Sequence, residues 1–160
     1  MKILYLIPAR AGSKGLPGKN TKELGAKPLI LHSVDFALQN MNSSDELCIS
    51  TDDENIIRMI RGLGVNVPFK RPKHLSDDKA STYDVMINAL NYYENKEIFF
   101  DALILLQPTS PFRKKEDLDE MFARYDEMID MVVSVKKSKE NPYFTIFEEK
   151  NGFLKKSKNS

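Results

Sequence analysis

The sequence is poor in cysteine, in net charge and in long apolar runs, and each shortage excludes a class of protein. The single cysteine, Cys48, excludes an internal disulfide framework and is typical of a reducing cytoplasm. The net charge of +1, from 24 basic and 23 acidic residues, argues against a protein that binds nucleic acid through bulk charge. The apolar run 3–7 ends at Pro8 and is too short for a signal peptide, and no stretch has the length of a transmembrane helix. We therefore expect a cytoplasmic protein without a nucleic-acid or membrane partner.

The length and composition of the chain are typical of a single globular domain. A chain of 160 residues, 41% hydrophobic and 29% charged, can bury a sizeable core. Short apolar runs predict strands at 2–7, 46–50, 65–69, 101–106 and 131–135. Stretches with apolar residues at helical spacing predict helices at 28–39, 53–63, 81–94 and 115–128. This alternation predicts an α/β fold with a mostly parallel sheet and helices on both faces.

The loop after the first predicted strand is rich in glycine and in cations. Its sequence, IPARAGSKGLPGKN (7–20), holds three glycines together with Arg10, Lys14 and Lys19. Because glycine lets backbone N–H groups turn toward an anion, and because the cations add full charges, the loop predicts a phosphate site. The spacing G-x-x-G-x-x-G matches neither a Walker loop nor a dinucleotide fingerprint. The alternative is a flexible surface loop with solvated lysines.

The loop STDDENI (50–56) follows the second predicted strand and has two interpretations. Thr51 and Glu54 are three residues apart, which predicts a capping box at the start of the next helix. Asp52 and Asp53 offer carboxylates to a metal ion, but acidic residues in a first helical turn usually serve the helix dipole. We favour the structural interpretation.

Two further loops carry polar side chains after predicted strands. In KRPKHLSDDKASTYD (70–84), the guanidinium of Arg71 can direct two donors at a carbonyl, a phosphate or a base edge. In LLQPTSPFR (105–113), Gln107 and Arg113 belong to a hydroxyl-rich surface with one cation. Such a surface suits a sugar that carries a carboxylate, because the hydroxyls match the polyol and the arginine matches the acid.

These four motifs, in this order, strongly resemble those of the acylneuraminate cytidylyltransferase family, the CMP-sialic acid synthetases. Relatives that activate legionaminic or pseudaminic acid are similar. The resemblance runs from Lys2 to about Val135. It implies a Rossmann-like nucleotidyltransferase fold and a homodimer. It also implies a reaction that joins CTP to the anomeric hydroxyl of a nine-carbon keto-sugar acid, with Mg²⁺ as cofactor and pyrophosphate as the second product.

The resemblance also implies roles for individual residues. Lys19 is implied to neutralise charge at the α-phosphate, and Arg10 is the second catalytic candidate. Gln107 is implied to contact the sugar. The implied nucleotide-binding residues are Ala9, Arg10, Ser13, Lys14, Lys19, Asn20, Arg71, Ala80 and Thr82. A cation-rich loop agrees with phosphoryl-type transfer, which needs positioning and charge stabilisation more than covalent chemistry. No general base is evident.

The chain departs from the family at its end. Members usually continue with more sheet, a dimerisation hairpin and a late Asp-x-Asp motif for magnesium, so the metal ligands stay unknown. We expect a nucleotide- and sugar-binding α/β domain over 1–137, the start of an incomplete dimerisation segment over 138–160, and hence a fragment of a longer protein. The alternatives are a fragment that binds CTP or partner subunits without turnover, or a related nucleotidyltransferase that uses Kdo or GTP.

Overall fold

The structure is a computed structural model that describes residues 1–13, 15–126, 128–137 and 146–156. The chain divides into two compact units, Met1–Lys115 and Glu116–Ser160. The first unit holds β1 (Ile3–Pro8), β2 (Glu23–Leu24), β3 (Lys27–Pro28), α1 (Leu29–Asn40), β4 (Glu46–Ser50), α2 (Glu54–Gly62), α3 (Thr82–Glu94) and β5 (Ala102–Leu105). Helix α4 (Lys115–Arg124) begins at the boundary, and the hairpin β6 (Phe147–Lys150) and β7 (Phe153–Lys156) lies in the second unit. Within the described ranges, no helix is both long and apolar enough to cross a membrane.

The core of the first unit is a parallel sheet in the order β4-β1-β5. In the central strand β1, Leu6 is in register with Cys48 of β4 and with Leu105 of β5. Every residue of β1 except the last is buried, as expected for a strand with neighbours on both sides and helices above and below. The predicted parallel sheet is confirmed.

Helices cover both faces of this sheet. On one face, Leu6 belongs to a buried cluster with Ala89 and Tyr93 of α3. Successive side chains of a strand point to opposite faces, so Tyr5 points the other way. There its hydroxyl donates to the carbonyl of Asn40, the last residue of α1, at 3.4 Å. The predicted helices at 28–39, 53–63, 81–94 and 115–128 all form, although α4 ends earlier, at Arg124.

The predicted strand at 65–69 is wrong. The segment has no regular secondary structure. The β-pairing next to it is limited to one parallel bridge between Lys70 and Thr51. Pro68 has no N–H to donate to a neighbouring strand, and its carbonyl accepts instead from the Tyr92 hydroxyl at 2.8 Å. A side chain from α3 thus satisfies a backbone group that a strand would have used.

The predicted strand at 131–135 is wrong as well. These residues have no regular secondary structure, and Val133 and Val135 are exposed. A strand needs a neighbouring backbone to pair with, and in the described part of the chain these residues have none. The predicted dimerisation segment, 138–160, begins in residues outside the described ranges, and its role in dimerisation stays a prediction.

The predicted capping box at the start of α2 is also wrong. The N-cap is Asp53, whose carboxylate accepts from the backbone N–H of Asn55 at 2.8 Å. The hydroxyl of Thr51 instead donates to the carbonyl of Ala9 and accepts from the backbone N–H of Asp53 at 3.1 Å. Glu54 forms an ion pair with a lysine after the helix rather than turning back to the cap. Sequence spacing alone did not distinguish these partners.

Candidate functional site

A cavity of about 530 Å³ lies beyond the carboxyl ends of β1 and β5 in the first unit. Ligands of open parallel sheets bind at this edge. The loop after β1 contributes to its lining Arg10, Ser13, Lys19 and Asn20. The loop before α3 contributes Arg71 and Ala80, the first residue of α3 contributes Thr82, and the loop after β5 contributes Gln107. The structure therefore brings together eight residues that the sequence predicted as ligand contacts.

Two predicted nucleotide contacts are not in this set. Ala9 is buried, its N–H donates to the carbonyl of Ser50 at 2.9 Å, and its carbonyl accepts from the Thr51 hydroxyl. Both of its backbone groups are thus used to join the loop to β4, and Ala9 is absent from the cavity lining. Lys14 lies outside the described residues.

In the loop after β1, the residues on both sides of Lys19 have defined conformations or contacts. Gly18 adopts a left-handed φ of 65°, and the turn Lys19–Thr21 follows it. Asn20 is buried, and its side-chain amide donates to the carbonyl of Arg10 at 3.2 Å. The half-buried side chain of Lys19 lines the cavity and has no polar partner among the described residues. Its ammonium is therefore available to an anion.

Gly18 gives a stability prediction for this loop. Gly18→Ala should lower the free energy of unfolding by about 1–2 kcal/mol, because an L side chain is strained at a left-handed φ. Gly12→Ala is the matched control, since a Cβ there meets no described atom within 4 Å and its φ is not left-handed. Urea denaturation of both variants measures the difference. Equal stability of the two variants would contradict the proposed role of the Gly18 backbone.

Arg10 and Asp78 bridge the cavity from two different loops. The guanidinium Nη2 lies 2.7 Å from Oδ1 of Asp78, and the two side chains are 33% and 40% exposed. Asp77 fixes the backbone beside Asp78, because its Oδ1 accepts from the N–H groups of Lys79 and Ala80 at 2.8 and 2.9 Å. An anion that binds Arg10 must compete with the Asp78 carboxylate.

This competition predicts that Asp78→Asn strengthens anion binding. An ion pair this exposed contributes about 0.2–1 kcal/mol, so removing the carboxylate that competes for Arg10 should make pyrophosphate bind about 1.4- to fivefold more tightly. Calorimetric titration gives the dissociation constants. The control is Asp35→Asn, which breaks an ion pair of similar exposure with Lys27 away from the cavity. Weaker or unchanged binding in the Asp78 variant would contradict the competition.

The carboxylates at the cavity do not form a prepared magnesium site. A magnesium ion bound to a triphosphate usually takes one or two carboxylates in addition to phosphate oxygens. Asp78 is paired with Arg10, and Asp77 accepts two backbone hydrogen bonds. Asp52 and Asp53, the candidates from the sequence, do not line the cavity: Asp52 accepts from the N–H of Ala11 at 2.9 Å, and Asp53 is the N-cap of α2. Among the described residues, no group of three or more metal-binding side chains occurs.

Arg71 is a buried arginine at the wall of the cavity. Its exposure is 5%, and burial lowers the pKa of its guanidinium below the ordinary value. Its Nε donates to the Ser50 hydroxyl at 3.0 Å, and its Nη2 donates to the Ser50 carbonyl. Its backbone N–H donates to the carbonyl of Thr51 at 2.8 Å. Arg71 is thus attached to the end of β4 and is not a solvated loop cation.

The start of α3 forms another part of the cavity wall. Ser81 is the N-cap, and its hydroxyl accepts from the N–H of Asp84 at 3.1 Å, while the Asp84 carboxylate accepts from the N–H of Ser81 at 3.3 Å. This capping box fixes the first turn of α3, where Thr82 lines the cavity. Ala80 precedes the cap and has already donated its N–H to Asp77. The polar backbone group of Ala80 that is left to a ligand is therefore its carbonyl.

The loop after β5 differs from the prediction at its arginine. Gln107 and Thr109 line the cavity, but Ser110 and Arg113 do not. The Arg113 Nη1 donates to the Ser33 hydroxyl at 3.1 Å, and its Nη2 donates to the Gln107 carbonyl at 2.7 Å. Burial lowers the pKa of Arg113. Arg113 therefore supports the backbone of this loop, and because it does not line the cavity, its predicted contact with a sugar carboxylate stays a prediction.

Comparison with known proteins agrees with this geometry. The chain matches the cytidylyltransferase family over residues 4–146. It is 45% identical to a CMP-N,N'-diacetyllegionaminic acid synthase of Legionella pneumophila over 118 residues. That alignment covers 74% of this chain and 50% of the relative. It is 37% identical over 153 residues to an N-acylneuraminate cytidylyltransferase of Streptococcus agalactiae, which covers 94% of this chain and 36% of that protein.

A solved structure is similar as well. The CMP:2-keto-3-deoxy-manno-octonic acid synthetase complexed with CTP has a TM-score of 0.61 and 27% identity, over 77% of this chain and 46% of that one. The chain thus spans half or less of the length of the proteins compared here. The resemblance read from the four motifs is confirmed by the family match and by the two named relatives. On these matches and on its fold, the chain belongs to the cytidylyltransferase family.

Proposed function

We propose that this protein joins CTP to a nine-carbon keto-sugar acid of the N-acylneuraminate type, giving a CMP-sugar and pyrophosphate. The observation that carries the proposal is one cavity in which three segments of the chain bring together eight predicted ligand contacts. Membership of the cytidylyltransferase family supports the nucleotide. Relatives named for legionaminic and N-acylneuraminic acid support the sugar acid.

The proposed reaction exchanges one bond at phosphorus for another. The anomeric oxygen of the sugar attacks the α-phosphorus of CTP, and the bond from that phosphorus to the oxygen bridging the β-phosphate breaks. Pyrophosphate leaves with the bonding electrons, and the hydroxyl proton passes to solvent, since we assign no general base. The protein contributes positioning and charge stabilisation, which are the main requirements of this chemistry.

Lys19 and Arg10 supply that charge stabilisation in the proposal. The ammonium of Lys19 lies at the cavity wall without a described partner, so it can neutralise charge that develops around the α-phosphate. Arg10 binds the phosphates after exchanging Asp78 for a phosphate oxygen. Both side chains project from a loop that Asn20 ties to its own backbone, which keeps the cations close together.

The wall formed by Arg71 and the start of α3 is proposed to read the base. Cytosine presents the acceptors O2 and N3 and the N4 amino donor. The donors of Arg71 that Ser50 does not use match the acceptors, and the carbonyl of Ala80 matches the amino group. Uracil presents an N–H at N3 and an acceptor at position 4, so the same wall disfavours UTP.

The opposite wall is proposed to hold the sugar. Gln107 and Thr109 offer an amide and a hydroxyl at the cavity surface, which match the hydroxyls of a polyol. Arg113 contributes by fixing the carbonyl of Gln107. The sugar acid therefore approaches the α-phosphate from the β5 side.

Magnesium, a homodimer and a cytoplasmic location complete the proposal. Because Asp77 and Asp78 are already engaged, a magnesium ion would be held by the triphosphate more than by this chain, and it would supply charge neutralisation on the phosphates. Exposed apolar side chains of the second unit, including Phe153 at 72% and Leu154 at 74%, support an interface between subunits. The single cysteine, Cys48, is buried and unpaired, which supports a reducing compartment.

A pyrophosphate-release screen tests the proposed function. CTP and GTP are each combined with N-acetylneuraminic, legionaminic and pseudaminic acid and with Kdo, in the presence of Mg²⁺. Release that requires CTP and a nine-carbon acid is the expected result. Release with Kdo or with GTP would transfer the assignment to a related nucleotidyltransferase. Thermal stabilisation by CTP without any release would indicate binding without turnover, and the lack of both would contradict nucleotide recognition.

A further inference from the structure

Ser50 is a buried residue that makes none of the proposed contacts with the substrates. It ends β4, is 0% exposed, and is absent from the cavity lining. Its hydroxyl accepts from Nε of Arg71 at 3.0 Å, and its carbonyl accepts from Nη2 of the same side chain. Ser50 thus accepts hydrogen bonds from both nitrogens, Nε and Nη2, on one edge of the Arg71 guanidinium.

The opposite edge of that guanidinium is left for a ligand. A guanidinium has five N–H donors, and the two bonds to Ser50 use two of them. In the described part of the chain, the buried side-chain polar atom without a partner belongs to Asn88. No N–H group of Arg71 is therefore among the buried, unpaired polar atoms of the described residues. Because Arg71 lines the cavity, its remaining donors can reach a ligand there.

Ser50 is itself held by the centre of the sheet. It is in register with Pro8 at the end of β1, and its carbonyl also accepts from the N–H of Ala9 at 2.9 Å. The backbone N–H of Arg71 bonds to the next carbonyl, that of Thr51. Arg71 is consequently fixed to the sheet at both its backbone and its side chain, as a preorganised ligand contact requires.

We propose that Ser50 is a positioning residue for nucleotide recognition, because it orients the Arg71 guanidinium toward the base. This inference rests on the proposed function. Without the hydroxyl, Nε loses its acceptor and the guanidinium loses one of its two fixed bonds. The contact with cytosine should then weaken, while the phosphate contacts of the loop after β1 should be unaffected.

Ser50→Ala tests this inference when two probes are compared by calorimetry. The dissociation constant of CTP should rise about three- to tenfold, as expected for the loss of one hydrogen bond. The dissociation constant of tripolyphosphate, which has no base, should stay the same. Ser33→Ala is the matched control, because Ser33 is equally buried and its hydroxyl accepts from Arg113 instead. It should change neither constant.

The outcomes separate this inference from the proposed function. Equal CTP affinity of Ser50→Ala and wild type would overturn the inference, and so would a parallel loss for CTP and tripolyphosphate, which indicates a loosened site. If Ser50→Ala does not fold, Ser50→Cys keeps the size of the side chain with a weaker acceptor, and the same selective loss for CTP is expected. A wild-type protein that binds tripolyphosphate but not CTP would contradict the proposed function itself.

Discussion

Lys19→Ala is expected to lower the rate of pyrophosphate release about 10²–10³-fold, as is typical when a charge-stabilising group is removed from a transition state. The physical reason is that the Lys19 ammonium lies at the cavity wall with no polar partner among the described residues. Its stabilising effect is realised mainly as charge develops at the α-phosphate. Both kcat and kcat/KM should therefore fall. Steady-state kinetics with CTP and the best sugar acid from the screen give both values.

The fold should survive this substitution. Lys19 is half-buried and makes no described side-chain hydrogen bond, so little packing is lost and the melting temperature should stay close to that of wild type. Lys22→Ala is the matched control, because Lys22 is an exposed lysine of the same segment that does not line the cavity. Unchanged kcat and unchanged CTP affinity in Lys19→Ala would refute the role assigned to this residue.

Arg71→Ala is expected to raise the dissociation constant of CTP about 10- to 100-fold. Hydrogen bonds from a charged donor contribute about 1.5–3 kcal/mol, and each 1.4 kcal/mol is a factor of ten. The substitution also leaves the buried hydroxyl of Ser50 without its partner, so a loss of stability of about 1–2 kcal/mol is expected as well. Calorimetric titration and urea denaturation measure the two effects separately.

Arg113→Ala is the control for this experiment. Arg113 is partly buried and, like Arg71, is bonded to a buried serine, Ser33, but it belongs to the loop after β5 and lies outside the cavity lining. Its loss should cost stability without changing the affinity for CTP. If both arginine variants weaken CTP binding equally, the effect of Arg71 is one of general destabilisation and the assignment of the base-reading wall is wrong.

The elements around the site were predictable because their sequence signals are local. The apolar runs of β1, β4 and β5 and the helical spacing of α1 to α4 each describe a buried face, and tertiary packing preserved them. The loop after β1 was noticeable for its glycines and cations, which together predict a phosphate site. The individual residues of the candidate site were predicted from the resemblance of the four motifs to the family, and eight of them line the cavity.

The parts that failed depend on partners that are distant in the chain. The run 65–69 has the composition of a strand, but Pro68 and the Tyr92 hydroxyl remove it from the ladder. Thr51 has the spacing of a capping residue, but its hydroxyl bonds to Ala9, 42 residues earlier. No local pattern distinguishes these competing hydrogen bonds.

The sequence also did not distinguish the roles of the two arginines near the site, Arg71 and Arg113. A guanidinium on a loop after a strand has the same sequence signature whether it faces a ligand or supports the backbone. Arg71 lines the cavity, whereas Arg113 turns to Ser33 and to the carbonyl of Gln107. The roles of Ser50 and Ser33 follow from those contacts and had no signal in the sequence beyond their place near predicted motifs.

A crystal structure of the protein with bound CTP would show directly how the cavity holds the nucleotide. We expect the triphosphate beside Lys19 and Arg10, with Arg10 released from Asp78, and the cytosine against Arg71 and the carbonyl of Ala80. The side chains of Gln107 and Thr109 should remain open to the second substrate. CTP bound elsewhere, or bound in this cavity with its base away from Arg71, would contradict the account.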